Sequence, residues 1–106
     1  MENTNLTQRL SQLCDTLVKK YYTMYPTSTK LIDFEIIQGK SYYKIMEVNN
    51  GGRSVHAFVS IANGDMYKPA SYKGPAKWVR YKLLDDTSFE TCLHNADPHG
   101  SYLYMK

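Results

Sequence analysis

From Gly64 to Lys82 the sequence reads Gly-Asp-Met-Tyr-Lys-Pro-Ala-Ser-Tyr-Lys-Gly-Pro-Ala-Lys-Trp-Val-Arg-Tyr-Lys, and these residue types can capture anions and flat rings. No acid occurs between Met66 and Leu84, while Lys68, Lys73, Lys77, Arg80 and Lys82 alternate with Tyr67, Tyr72, Trp78 and Tyr81. Cationic groups hold phosphates and ring faces stack on bases, so the combination suits nucleic acid or a nucleotide with little sequence selectivity. In that reading Lys68, Lys73, Lys77, Arg80 and Lys82 contact phosphate, and Tyr72, Trp78 and Tyr81 are the stacking platforms. Pro69 and Pro75 restrict the backbone, which lowers the entropy lost on binding. The same residues have a structural use: Tyr67, Trp78 and Val79 can tuck under the loop and anchor it, with lysine stems over apolar surface. Trp78 is expected to be at least partly structural.

Other chemistry is poorly supported. Cys92, His94, Asp97 and His99 lie close together but not as two spaced ligand pairs, so no metal is expected; turn and capping roles suit Asp97 and His99. No sequence pattern pairs Cys14, Cys92 or a serine with His56, His94 or His99, so no catalytic residue is assigned. Asp85 and Asp86 are explained by the dipole of a following helix. Gly51, Gly52 and Gly74 form no phosphate-cradling loop ahead of a helix, and no cofactor is expected.

A chain of 106 residues, 42% hydrophobic and 22% charged, reads as a single domain, 1–106, able to bury one core. The net charge is +3, yet outside the five cations of the Met66–Leu84 stretch eight cations face ten acids. The positive excess is therefore local. Cys14 and Cys92 fall at apolar helix positions and read as small buried hydrophobes rather than a disulfide. The polar start and the absence of an apolar run of about 18 residues argue against a leader and a membrane partner.

The elements that must position the loop follow from periodicity. Leu6, Leu10, Leu13, Cys14, Leu17, Val18, Tyr21, Tyr22 and Tyr25 make one helical stripe, capped by Thr4 or by Asn5 with Gln8, favoured at its end by Lys19 and Lys20, and stopped by Pro26. Leu31–Ile37 alternates as a half-buried strand with Ile32, Phe34 and Ile36 inward. Ser41–Val48 is a second strand, and Asn49-Asn50-Gly51-Gly52 is a hairpin turn into a third, Ser54–Ile61. There Val55, Ala57, Val59 and Ile61 share one face, with His56, Phe58 and Ser60 on the other. Met66–Lys68 is a short strand ended by Pro69. Thr87 and Glu90 have capping-box spacing for a short helix burying Phe89, Cys92, Leu93 and Ala96, and Tyr102–Met105 reads as a final strand. The expected fold is α+β: an antiparallel meander of about five strands, with an N-terminal amphipathic helix and a short second helix on one face. Tyr42, Tyr43, Tyr102 and Tyr104 then offer further stacking surface if the other face is bare.

The runs Ser54–Val59, Asn63–Lys77, Val79–Tyr81 and Gly100–Tyr104 resemble a group of small phage-encoded proteins of undefined function that share a GD-x-YK-x-AS-[WY]-K-x-PAK-like segment. The resemblance covers the later half of the chain. In that group the position of Tyr72 is often Trp and that of Gly74 often Ala; Tyr72 keeps a flat face, whereas Gly74 loosens the loop. The resemblance implies a viral accessory protein in the host cytoplasm and supplies no activity. The first expectation is a non-enzymatic phage protein whose loop engages nucleic acid. The alternative is an inhibitor of a host protein or of a bacterial defence system, sequestering a nucleotide signal, for which an oligomer with pockets between subunits would be suited.

Overall fold

Leucines at 6, 10, 13 and 17, with Cys14 and Tyr21, recur three or four residues apart and bury one face of helix α1 (Thr4–Met24). The structure, a computed structural model, describes residues 4–104. Asn5 and Gln8 lie inside this helix rather than at its cap. Tyr22 and Tyr25 leave the stripe and are exposed; the Tyr22 hydroxyl donates to the Lys30 carbonyl and accepts from the Ile32 amide, tying the helix to the first strand.

Strands β1 (Ile32–Gln38), β2 (Tyr42–Asn49), β3 (Gly52–Ser60), β4 (Asp65–Tyr67) and β5 (Tyr81–Lys82) form one antiparallel sheet in chain order. The β2–β3 turn places Asn50 at φ 50° and Gly51 at φ 88°, two consecutive left-handed residues of the kind a tight hairpin needs. Ile32, Phe34, Tyr43, Ile45, Ala57, Val59 and Met66 pack against α1 and against helix α2 (Asp86–Asn95), which contributes Phe89 and Cys92. The expected α+β architecture, with five strands and two helices, is the observed one.

Four local expectations are corrected. Ile45 pairs with Ala57 but Met46 pairs with Val55, so His56 is an extra residue in β3. This bulge reverses the alternation: Val55 moves to the face away from the helices, and His56 turns in against Phe34, ring centroids 5.1 Å apart. Ile36 is substantially exposed, so only Ile32 and Phe34 of the expected inward set are buried in β1. Helix α2 is capped by Asp85, whose carboxylate accepts the Ser88 amide at 2.9 Å, not by Thr87. The fifth strand is Tyr81–Lys82, while Ser101–Leu103 forms a 3-10 turn; Met105, the last residue of the expected strand, lies outside the described range. The cause of the turn is Asp97, whose carboxylate accepts from the His99, Ser101 and Tyr102 amides and from the Ser101 hydroxyl. Burial alone would raise this carboxyl, but those hydrogen bonds bring it below its ordinary value.

The helices are locked together by two cations from α1. Arg9 donates to the Leu83 carbonyl, pairs with Asp86 and lies over the Phe89 ring. Lys20, expected to serve its own helix, instead donates to the carbonyls of Leu93, His94 and Ala96 at 2.7–2.9 Å, where α2 ends. Contacts of Arg9 near the start of α2 and of Lys20 near its end make the two helices run in the same direction.

The other face of the sheet is not bare. Phe58 and Met46 are fully buried there, outside the helix-side cluster, and Tyr42 packs nearly perpendicular to the rings of both Phe58 and Tyr67. Among the described residues no helix is long and apolar enough to cross a membrane.

Candidate functional site

The connection from β4 to β5 folds back on itself. Lys68 accepts the Ala76 amide at 2.7 Å, Gly74 accepts the Ala70 amide at 3.0 Å, and Pro69 faces Pro75 in an isolated bridge. This narrow excursion has Ser71–Gly74 at its tip. Tyr72 is 61% exposed, and the Lys44 ammonium lies 4.1 Å from its ring centroid while also approaching Phe58. Lys44 belongs to the sheet, so this cation–π contact fixes the tip over the face opposite the helices.

Arg80 organises the second half of the loop. Its guanidinium donates to the carbonyls of Lys77 at 2.8 Å, Trp78 at 2.6 Å and Leu103, and its amide bonds Met66. Trp78 adopts φ 77°, a left-handed conformation that disfavours a side chain by roughly 1–2 kcal/mol. It is also 70% exposed, contrary to the expectation that it would help anchor the loop. A large ring is thus held in solvent by a strained backbone that the half-buried Arg80 fixes through the neighbouring carbonyls.

The expected site residues divide accordingly. Tyr72 and Trp78 present rings to solvent; Tyr81 is half-buried, packs against the core and stacks at a tilt on Tyr102, centroids 5.9 Å apart. Lys73, Lys77 and Lys82 are exposed, and among the described residues their ammonium groups make no salt bridge or hydrogen bond. Lys68 is half-buried with its ammonium 4.3 Å from the Tyr104 ring centroid. Arg80 holds the loop together from within. Of the additional tyrosines, Tyr43 is buried beneath the helices, Tyr102 is nearly buried, and Tyr104 is exposed under Lys68.

The sequence gives no sign of a second concavity beside this loop. A cleft of about 500 Å3 opens between the end of α1, residues 25–30 and the outer end of β2, with Tyr21, Tyr25, Lys30, Glu47 and His99 among its lining. A smaller one of about 140 Å3 leads on towards Lys68 and Tyr104, and Glu47 and His99 line both. Tyr25 Oη is 2.8 Å from His99 Nε2, which pins the wall. Burial raises the Glu47 carboxyl above its ordinary value, with His99 acting in the opposite sense. The polar residues that converge here come from separate segments, so no spacing rule finds them.

The thiols are chemically quiet. Cys14 and Cys92 are buried and their pKa values are pushed up to about 12 by desolvation; Cys92 Sγ lies 3.8 Å from Met66 Sδ. Among the described residues no three His, Cys, Asp or Glu side chains are grouped to hold a metal ion.

Fold and site together define a small α+β protein whose open antiparallel sheet carries one long connection displaying cations and rings. The chain belongs to a family of unknown function, DUF7717, whose model matches residues 1–105. No curated protein and no solved structure matches it.

Proposed function

We propose that this is a non-enzymatic binding protein, a phage accessory factor acting in the host cytoplasm, that engages nucleic acid through the β4–β5 loop. The observation that carries the reading is Trp78: a ring 70% exposed on a left-handed backbone, flanked by the unpaired ammonium group of Lys77. Folding alone favours neither the strain nor the exposure, whereas a preorganised stacking platform uses both. Lys73, Lys77 and Lys82 supply phosphate contacts, with Tyr72 as a second ring. Such binding is tolerant of sequence.

Trp78 is the sole tryptophan, so its fluorescence reports directly on stacking. Titration with single-stranded DNA, duplex DNA and RNA should quench it, with single strands favoured. Three lysine contacts at about −0.7 each give a log–log salt slope of about −2. Trp78→Ala should weaken binding by about 1–3 kcal/mol. Absence of binding at low salt would remove this reading and leave the loop as a docking surface for a host protein.

A further inference from the structure

Glu47 and His99 line both clefts, so the two adjoin as a trough with those side chains at the junction, and its chemistry differs from that of the exposed tip of the loop. Glu47 is half-buried, and among the described residues its carboxylate has no hydrogen-bond donor. Among the described residues it is the one acid lining either cleft, whereas Lys30 lines the larger and Lys68 the smaller. A cationic ligand would be attracted by Glu47 but repelled at both ends. A ligand with neutral N–H donors and an anionic tail satisfies all three groups at once.

The walls narrow the class further. Tyr25 is 40% exposed, and its hydroxyl is held by His99, so its ring offers a fixed flat surface in the cleft that Glu47 also lines. A planar heterocycle against Tyr25, with two adjacent N–H groups directed at the two Glu47 oxygens, would leave a phosphate free to extend towards the Lys68 ammonium. Guanine has that donor pair on its Watson–Crick edge; adenine has an acceptor where guanine has its ring N–H. A volume of about 500 Å3 lies within the range of small-ligand sites.

We propose that this trough is a guanine-nucleotide binding site, with Glu47 reading the base, Tyr25 stacking on it and Lys68 holding the phosphate. The site borrows Lys68 from the base of the β4–β5 loop but uses none of Lys73, Lys77, Trp78 or Lys82, so it stands whether or not those residues bind nucleic acid.

Isothermal titration of the full chain with GMP, guanosine and AMP tests it. GMP should bind saturably, more tightly than guanosine or AMP. Glu47→Gln, which keeps the side-chain shape, should lower GMP affinity by about tenfold or more and abolish the preference over AMP, because an amide cannot accept from both N–H groups. Lys68→Gln should remove the preference for GMP over guanosine. Lys73→Ala with Lys77→Ala should leave GMP binding unchanged, which separates this site from the loop. Circular dichroism and a urea melt confirm that each variant is folded. No saturable binding at about 1 mM GMP, or an equal loss of GMP and AMP binding in folded Glu47→Gln, would overturn the proposal.

Discussion

Lowering the pH from 7 to 5 should destabilise the protein by about 2 kcal/mol through His56 alone. The bulge in β3 places this imidazole on the helix side of the sheet, 7% exposed, with Nε2 2.7 Å from the Tyr102 hydroxyl. Burial drives its pKa from 6.5 down to about 4, and the nearby Asp97 carboxylate only partly opposes this. The unfolded chain therefore takes up a proton first. Stability from this group is fully present above 6.5 and is lost as the pH falls towards about 4. The full span corresponds to about 3 kcal/mol, of which about 2 is lost by pH 5. Glu47, raised in the folded state, works in the opposite sense as the solution becomes acidic, whereas Asp97, lowered, loses its contribution only as pH falls below its ordinary 3.8. Urea unfolding followed by circular dichroism at several pH values would measure the sum, and the same series on His56→Gln isolates the imidazole. The wild type should lose about 2 kcal/mol more than the variant between pH 7 and 5. Parallel pH profiles would refute the buried neutral imidazole.

Two further outcomes concern backbone conformation. Trp78→Gly should leave stability unchanged or raise it by up to about 1 kcal/mol, because relief of left-handed strain offsets the added freedom of the unfolded chain; a large fall in the urea midpoint would mean the ring anchors the loop. Gly64 sits at φ 75°, and an added Cβ would lie 2.8 Å from Leu84 Cγ, so Gly64→Ala should lower stability by about 1–3 kcal/mol. A variant melting at the wild-type temperature would contradict that packing.

What the sequence made legible was what repeats. The leucine stripe of α1, the Asn50-Gly51 turn and the meander order all follow from patterns confined to neighbouring residues. The misread features depend on distant partners. The bulge at His56 is invisible in alternation alone because Val55, His56 and Ala57 fit either register until Phe34 and Tyr102 are known. Tyr81–Lys82 is too short to show a period, and it becomes a strand only because Asp65 and Met66 offer an open edge. In the loop, composition marked all five cations and three aromatics alike. It could not foresee that Arg80 finds carbonyls at Lys77, Trp78 and Leu103, or that Tyr81 leans on Tyr102. The trough has no signature in the sequence because Tyr25, Glu47 and His99 meet only after folding.

The cationic locks between α1 and α2 also bear on synthesis. Arg9 and Lys20 find their partners 73–77 positions later in the chain. A growing chain on the ribosome therefore displays a finished leucine stripe, and can pair its first three strands, long before the second helix exists to close the layer. The helix made first can settle on those strands early, through its leucines and the Tyr22 tie to β1. Its cationic contacts to α2 close only after residues 83–96 have emerged, and in that interval the half-covered core is open to aggregation or capture by a chaperone.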